Sequence, residues 1–307
     1  MSAVPAASPR ESAERLRAEA IGLLETGDYR GSLGLYDRSL EFARASEDPS
    51  FVDWIYACRA AAASEAGPAE AELVELKKIL LRSKDPRTAF RAAYTGARIY
   101  ELRRDFRKAI FYSRIACEKA GALGDPFLFA AAENMRGSLL VVDSRFDEAA
   151  VAYRNALEVE DPEARLSPMW RAVAKYNLGY VLMSKDQVDE GLKLVHEAFA
   201  FIEGQGAKGQ TVVPLLDLCF GYLKLDRYAE ARYFGEEGLE RIPLADEAGP
   251  AIEKNYLYLL GETCHLAGDE PAAQQYFDRL ASLYPEFRNL RAYLEVFDFR
   301  NVINLRS

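Results

Sequence analysis

Residues 226–231, Asp-Arg-Tyr-Ala-Glu-Ala, decide how this chain is read, because the same six-residue shape keeps returning. It recurs as GDYRGS at 27–32, RDFRKA at 104–109, SRFDEA at 144–149, DQVDEG at 186–191 and GDEPAA at 268–273. The third positions of the copies are Tyr29, Phe106, Phe146, Val188, Tyr228 and Glu270, in steps of 77, 40, 42, 40 and 42 residues. The first step is about twice the others, so one worn copy is expected near 64–81, in SEAGPAEAELVELKKILL. A fixed period of this size marks a stacked array, in which each unit exposes an apolar face that only its neighbour covers.

Working outward from the marker, each unit reads as two helices. Upstream of Glu270, Leu257, Leu260, Gly261 and Cys264 fall at helical spacing, and downstream Ala273, Phe277, Leu280 and Leu283 do the same. Pro271 suits the first turn of the second helix, and Pro285 stops it. No run alternates apolar and polar residues with β-branched enrichment, so the fold class is all-α.

These residues resemble the tetratricopeptide repeat. Its pattern, W-x2-L-G-x2-Y…A-x3-F…P, is matched by Leu257-x2-Leu260-Gly261-x2-Cys264…Ala273-x3-Phe277…Pro285. It recurs as Leu178-Gly179-x2-Leu182…Gly191-x3-Val195, as Gly137-x2-Leu140…Ala149-x3-Tyr153 and as Ala97-x2-Tyr100…Ala109. Small residues at the eighth position of the unit (Ala20, Ala97, Gly137, Gly179, Cys219, Gly261) and the twentieth (Ser32, Ala109, Ala149, Gly191, Ala231, Ala273) would let paired helices approach closely. The resemblance implies a right-handed superhelical solenoid of about seven helix pairs over residues 13–285. The period exceeds the usual ~34 residues, and in that respect is similar to the branch containing kinesin light chain and the peptide-pheromone-sensing bacterial regulators. No N-terminal DNA-binding module is evident.

Residues 1–12, rich in Ala, Pro and Ser, read as a disordered tail. Residues 286–307 read as a cap, with Leu290, Tyr293, Leu294, Phe297, Val302 and Ile303 on one face of a helix; the alternative is a docking or self-association segment.

Composition narrows the function classes. The 307 residues carry 39 Lys and Arg against 48 Asp and Glu, a formal charge of −9, which argues against nucleic acid or an anionic membrane as the partner of the whole chain. No stretch suits a signal peptide or the roughly 20 apolar residues of a membrane span, and the expected setting is the cytoplasm. Cys58, Cys117, Cys219 and Cys264 are scattered without C-x-x-C spacing and read as reduced core residues; no metal or cofactor is expected. The two histidines, His196 and His265, fall in different repeats and in no catalytic arrangement, and GQGAKGQ at 204–210 lacks the strand and the G-K-[ST] of a phosphate loop. The expected protein is not an enzyme.

Binding remains. In the tetratricopeptide family the first helices of successive units line the concave surface. Carrying over the positions that face it nominates Arg91, Tyr94 and Arg98 in the third unit, Asn134 in the fourth, Tyr176, Asn177 and Tyr180 in the fifth, and Phe220, beside Leu216 and Asp217, in the sixth. Tyr258 and Glu262, with Asn255 and His265, follow in the seventh. Asn134 and Asn177 would hold a peptide backbone, since their amides donate and accept at once, and Tyr176, Tyr180 and Phe220 would offer apolar pockets, with packing against a neighbouring helix as the other reading. Asn177, in YNLG, matches the family's ligand-contacting asparagine, whereas a full carboxylate clamp is not reproduced. Between Lys77 and Lys119 there are 13 basic and four acidic residues, +9 locally, which would steer an acidic partner. The resulting expectation is a scaffold or adaptor that binds a peptide segment of a partner protein. The alternative is a sensor whose superhelix responds to a small signalling peptide.

Overall fold

A computed structural model describes residues 7–245, 249–294 and 296–306. Among them are helices and turns and no strand. The chain divides into two compact units, Met1–Leu139 and Leu140–Ser307. The first unit holds α1 (Pro9–Glu25), α2 (Tyr29–Ala45), α3 (Pro49–Ala66), α4 (Glu72–Arg82), α5 (Pro86–Leu102) and α6 (Phe106–Leu123). The boundary falls inside α7 (Pro126–Val142). The second unit continues with α8 (Phe146–Leu157), α9 (Pro168–Ser184), α10 (Val188–Gly204), α11 (Val212–Lys224), α12 (Tyr228–Arg241), α13 (Gly249–Leu266), α14 (Glu270–Leu283) and the short α15 (Leu290–Leu294). This is an all-α repeat fold of the tetratricopeptide type.

The recurring hexapeptide has a single conformational cause. Its first residue is left-handed in every copy: Gly27, Arg104, Ser144, Asp186, Asp226 and Gly268 have φ between 56° and 80°. The amide of that residue donates to the carbonyl three positions back, as from Asp226 to Leu223, and the next amide reaches five back, as from Arg227 to Tyr222. This pair of bonds closes a helix C-terminus and satisfies carbonyls that the helix leaves orphaned. In three copies the second residue then caps the next helix with its side chain: Asp28, Asp105 and Asp269 each accept an amide from that helix's first turn, whereas Arg145, Gln187 and Arg227 hold the N-cap position without such a bond. The worn copy lacks this turn. There α3 ends at Gly67 with φ 146°, followed by a proline, and α4 is only 11 residues long.

A second signal starts the first helix of a pair: an oxygen-bearing cap followed by proline, as in Ser8-Pro9, Asp48-Pro49, Asp85-Pro86 and Ser167-Pro168. At Ser8 it forms a full capping box with Glu11, so α1 begins at Pro9. Residues 9–12, expected in a disordered tail, are therefore helical, and residues 1–6 lie outside the described residues. Helices of 17 residues on both sides of the turn account for the long period.

The small residues sit where the pattern puts them. Ala20, Ala97 and Cys219, and Ser32, Ala109, Ala149, Ala231 and Ala273, are fully buried. Gly179 and Gly191 face each other across α9 and α10: a Cβ on Gly179 would stand 2.7 Å from the Gly191 carbonyl oxygen, and one on Gly191 would stand 2.5 Å from that of Gly179.

The cap expected over 286–307 takes another form. After Pro285 the chain makes one turn, the five-residue α15 and a second turn at Phe299–Asn301, and then runs onto the side chains of α9, α11 and α13. Tyr293, Phe297 and Val302 are exposed, so they do not form a buried helical face. The spacing that suggested one helix lacks the buried apolar partner that would hold it.

Candidate functional site

In the first unit, Arg91, Tyr94 and Arg98 on α5 converge as their i, i+3, i+7 spacing requires. With Arg17, Tyr36, Cys58, Glu65 and Thr95 they line a cavity of about 310 Å3. Arg98 is paired with Glu101 at 2.7 Å and Arg17 with Glu14 at 2.6 Å. Arg91 Nε and Thr95 Oγ1 are buried with no hydrogen-bond partner among the described residues. An unpartnered guanidinium N–H and a hydroxyl in one cavity can both serve a carboxylate or a peptide carbonyl. The surrounding basic excess is partly neutralised: Arg82 pairs with Asp53 and Glu75, and Lys108 with Asp105. Burial pushes the Tyr36 phenol on the cavity wall up to about 12, so it remains a donor. Asn134 is half-buried on α7, with its Oδ1 buried and without a hydrogen-bond partner among the described residues.

In the second unit the candidate residues form a different site, and it is occupied. Residues 304–306, Asn-Leu-Arg, lie on the side chains of the first helices. The Leu305 amide donates to Tyr180 Oη at 2.8 Å, and Asn255 Nδ2 on α13 donates to the Leu305 carbonyl at 2.9 Å. The Asn304 amide nitrogen donates to the Val141 carbonyl at 2.7 Å and to Ser144 Oγ at 3.0 Å, while its Oδ1 accepts from Tyr180 Oη at 3.2 Å. Arg306 Nη2 contacts both carboxylate oxygens of Asp217 on α11 at 2.7 Å, and its guanidinium stands 4.5 Å over the Tyr180 ring. Behind this surface Tyr180 packs on Phe220, with centroids 5.8 Å apart, and on Phe146 at 6.5 Å.

Several nominated residues therefore differ from the open pockets expected of them. Tyr180 and Phe220 are each 1% exposed: Phe220 is core, and Tyr180 is covered by the segment it binds. Tyr176 and Asn177 are half-buried beside them on α9, and burial holds the Tyr176 phenol up at about 12. Tyr258 and Glu262 on α13 are buried, and Tyr258 Oη and Glu262 Oε2 have no hydrogen-bond partner among the described residues. Glu262, with His265, Phe297, Asp298 and Arg300, lines a cavity of about 210 Å3, and burial raises its carboxyl to about 7. The residues that anchor the bound segment, Asp217 and Asn255, stood on the family positions; what the sequence concealed was the segment itself. Nothing in the local spacing announced it, since Phe299, Val302 and Ile303 still recur at helical intervals.

The four cysteines are buried and unpaired, with Cys58 raised to about 11 by burial. No helix among the described residues is long and apolar enough to cross a membrane.

No model of a known protein family and no curated protein matches the sequence. Solved structures do match the fold. The apo form of RapI is 11% identical, with a TM-score of 0.67 over 92% of this chain and 82% of that one. The apo quorum sensor NprR from B. thuringiensis is 15% identical, with a TM-score of 0.65 over 94% and 80%. NprR in complex with its cognate peptide NprX is 16% identical, with a TM-score of 0.61 over 92% and 82%. At these identities the likeness is one of fold.

Proposed function

We propose that this protein is a non-catalytic scaffold or adaptor that binds a peptide segment of a partner protein against the first helices of its repeats, in the cytoplasm. The observation that carries the reading is the first-unit cavity, where Arg91 Nε and Thr95 Oγ1 are buried without partners beside Tyr94 and Arg98. Native proteins rarely leave buried polar atoms unsatisfied, so such atoms on residues that line a cavity suit a ligand that brings carbonyl or carboxylate oxygens. An acidic partner segment fits this chemistry. NprR, similar in fold, holds a peptide. Four buried, unpaired cysteines suit a reducing compartment.

The test is partner capture from the native cell, followed by titration of the captured segment. The double substitution Arg91→Glu and Arg98→Glu should weaken binding by more than about 2 kcal/mol and reduce its salt dependence. Reversal of Lys77 and Lys78, which lie on α4 away from the cavity, should matter much less. Loss of binding on the lysine reversal alone would refute the assignment.

The second reading, a regulatory peptide sensor, is favoured by one observation: the second unit holds a three-residue segment through its backbone as well as its side chains. Saturable binding of a short free peptide with a change in compactness, read by small-angle scattering, would select it.

A further inference from the structure

We propose that the first-helix face of the second unit is a binding site for a short turn-forming segment with an apolar residue followed by arginine, and that residues 304–306, where the Arg306 amide donates to Asn304 Oδ1 at 3.0 Å, are its resident ligand, so that an external segment binds only by displacing them. This rests on the peptide-binding reading only for its last step. The site itself stands on the contacts within residues 140–307.

Both backbone polar groups of Leu305 are met by side chains, Tyr180 Oη for the amide and Asn255 Nδ2 for the carbonyl, from two different helices. Core packing alone does not require this, and the same pair of bonds would hold the backbone of any residue placed at this turn position. The Leu305 side chain is 5% exposed, so the position selects for apolar character. Asp217 supplies the charge selection. Its side chain is 0% exposed, and its charge partner is Arg306, 89 residues away in sequence. A carboxylate at the centre of a helix face is costly to bury unless a cation covers it. Such an acid is a poor choice for a core and a good one for a site whose ligand brings a guanidinium. The Tyr180 ring beneath Arg306 adds a cation–π contact that favours arginine's flat group over lysine.

The attachment is also reversible in principle. It consists of hydrogen bonds, one ion pair and one buried apolar side chain, all from a short stretch whose flanking Val302 is exposed. Arg300 fastens the stretch a second time, to Asp226 and the Leu223 carbonyl. Held in cis, the segment has a high effective concentration, so an external ligand of equal contacts is disfavoured until the segment is released.

The experiment uses the full chain and the synthetic peptide Asn-Val-Ile-Asn-Leu-Arg, residues 301–306, with a fluorophore on its amino end. In the full chain carrying Leu305→Asp and Arg306→Glu the segment is released, and the peptide should bind at least tenfold more tightly than to the unaltered chain. The peptide with Arg→Glu should not bind. Equal binding to both chains, or none to a released chain that keeps its helical circular dichroism, overturns the proposal. On the unaltered chain, hydrogen exchange should show protection at 304–306 that falls at least tenfold in Tyr180→Phe, which keeps the ring and removes only the hydroxyl. Unprotected amides there, or a concentration-dependent dimer whose copies exchange the segment, overturn the assignment in cis. No residue of the first unit takes part, so failure here leaves the reading of Arg91 and Arg98 standing, and their failure leaves this one.

Discussion

Gly179 is the position where a single methyl group should tell most about the fold. In Gly179→Ala the new Cβ would lie 2.6 Å from Val195 Cγ2 and 2.7 Å from the Gly191 carbonyl oxygen. The valine can rotate, but the carbonyl belongs to the backbone of α10, so α9 and α10 must separate by roughly 0.8 Å to restore ordinary contact at about 3.5 Å. Overpacking of this kind costs about 1–3 kcal/mol. The better helix propensity of alanine offsets up to about 1 kcal/mol. The net expectation is a loss of about 1–2 kcal/mol, and roughly 2–4 kcal/mol for Gly179→Leu, whose side chain has no space at all. At about 2–4 °C per kcal/mol for a unit of this size, the alanine variant should melt some ~2–8 °C lower by circular dichroism, with a lower urea midpoint. Gly191→Ala strains the same contact from the other side, 2.5 Å from the Gly179 oxygen, so the double variant should cost less than the two singles together. Gly204, at the end of α10, has nothing within 4 Å of its added Cβ and serves as the control; Gly204→Ala should leave stability unchanged or raise it slightly. A Gly179→Ala protein as stable as the parent would show that α9 and α10 do not meet backbone to backbone, and the reasoning about small residues in the repeat would fall with it.

Arg104 holds the left-handed turn position at φ 58°, so Arg104→Gly should stabilise the first unit by about 0.5–1 kcal/mol, measured as a higher urea midpoint; a lower one would argue against the turn geometry. Glu262 has its carboxyl raised by burial to about 7 from an ordinary value near 4.5, so the folded chain keeps a proton that the unfolded chain releases. That contribution is present below about pH 4.5 and is lost as pH rises through 7, and Asp217, raised to about 6, acts in the same sense. Urea midpoints should therefore be higher at pH 5 than at pH 8, and Glu262→Gln should flatten the difference by on the order of 3 kcal/mol; an unchanged pH profile in that variant would place the carboxyl in water. Arg306→Lys should retain the ion pair with Asp217 but lose the flat contact over Tyr180, leaving partial exchange protection at 304–306, intermediate between the parent and Arg306→Glu.

Local chemistry was legible from the amino-acid sequence because it is set by residues close in the chain. A left-handed residue followed by a cap, repeated in phase, fixes the turn; the apolar spacing fixes the helices on both sides; Gly179 and Gly191 announce a close approach. The placement of Arg91, Tyr94 and Arg98 on one side of α5 follows from the helical period alone. That Arg98 is paired with Glu101 while Arg91 Nε has no partner among the described residues depends on side-chain geometry that spacing does not specify.

The terminal segment marks where sequence reasoning stops. Leu290, Tyr293, Leu294 and Phe297 have the spacing of a helix, yet among the described residues after Phe287 the α-helix covers Leu290–Leu294, and Leu305 and Arg306 are spent on α9, α11 and α13. Helical periodicity records which side chains would share a face, not whether another surface offers a stronger partner. Asp217 and Arg306 are 89 residues apart, and nothing local to either one announces the other. A buried carboxylate needs a cation, but which cation reaches it is decided only when the first helices have been brought side by side and the returning chain is in range. The repeat could be read from its own letters; the segment that packs on it could be read only from the fold.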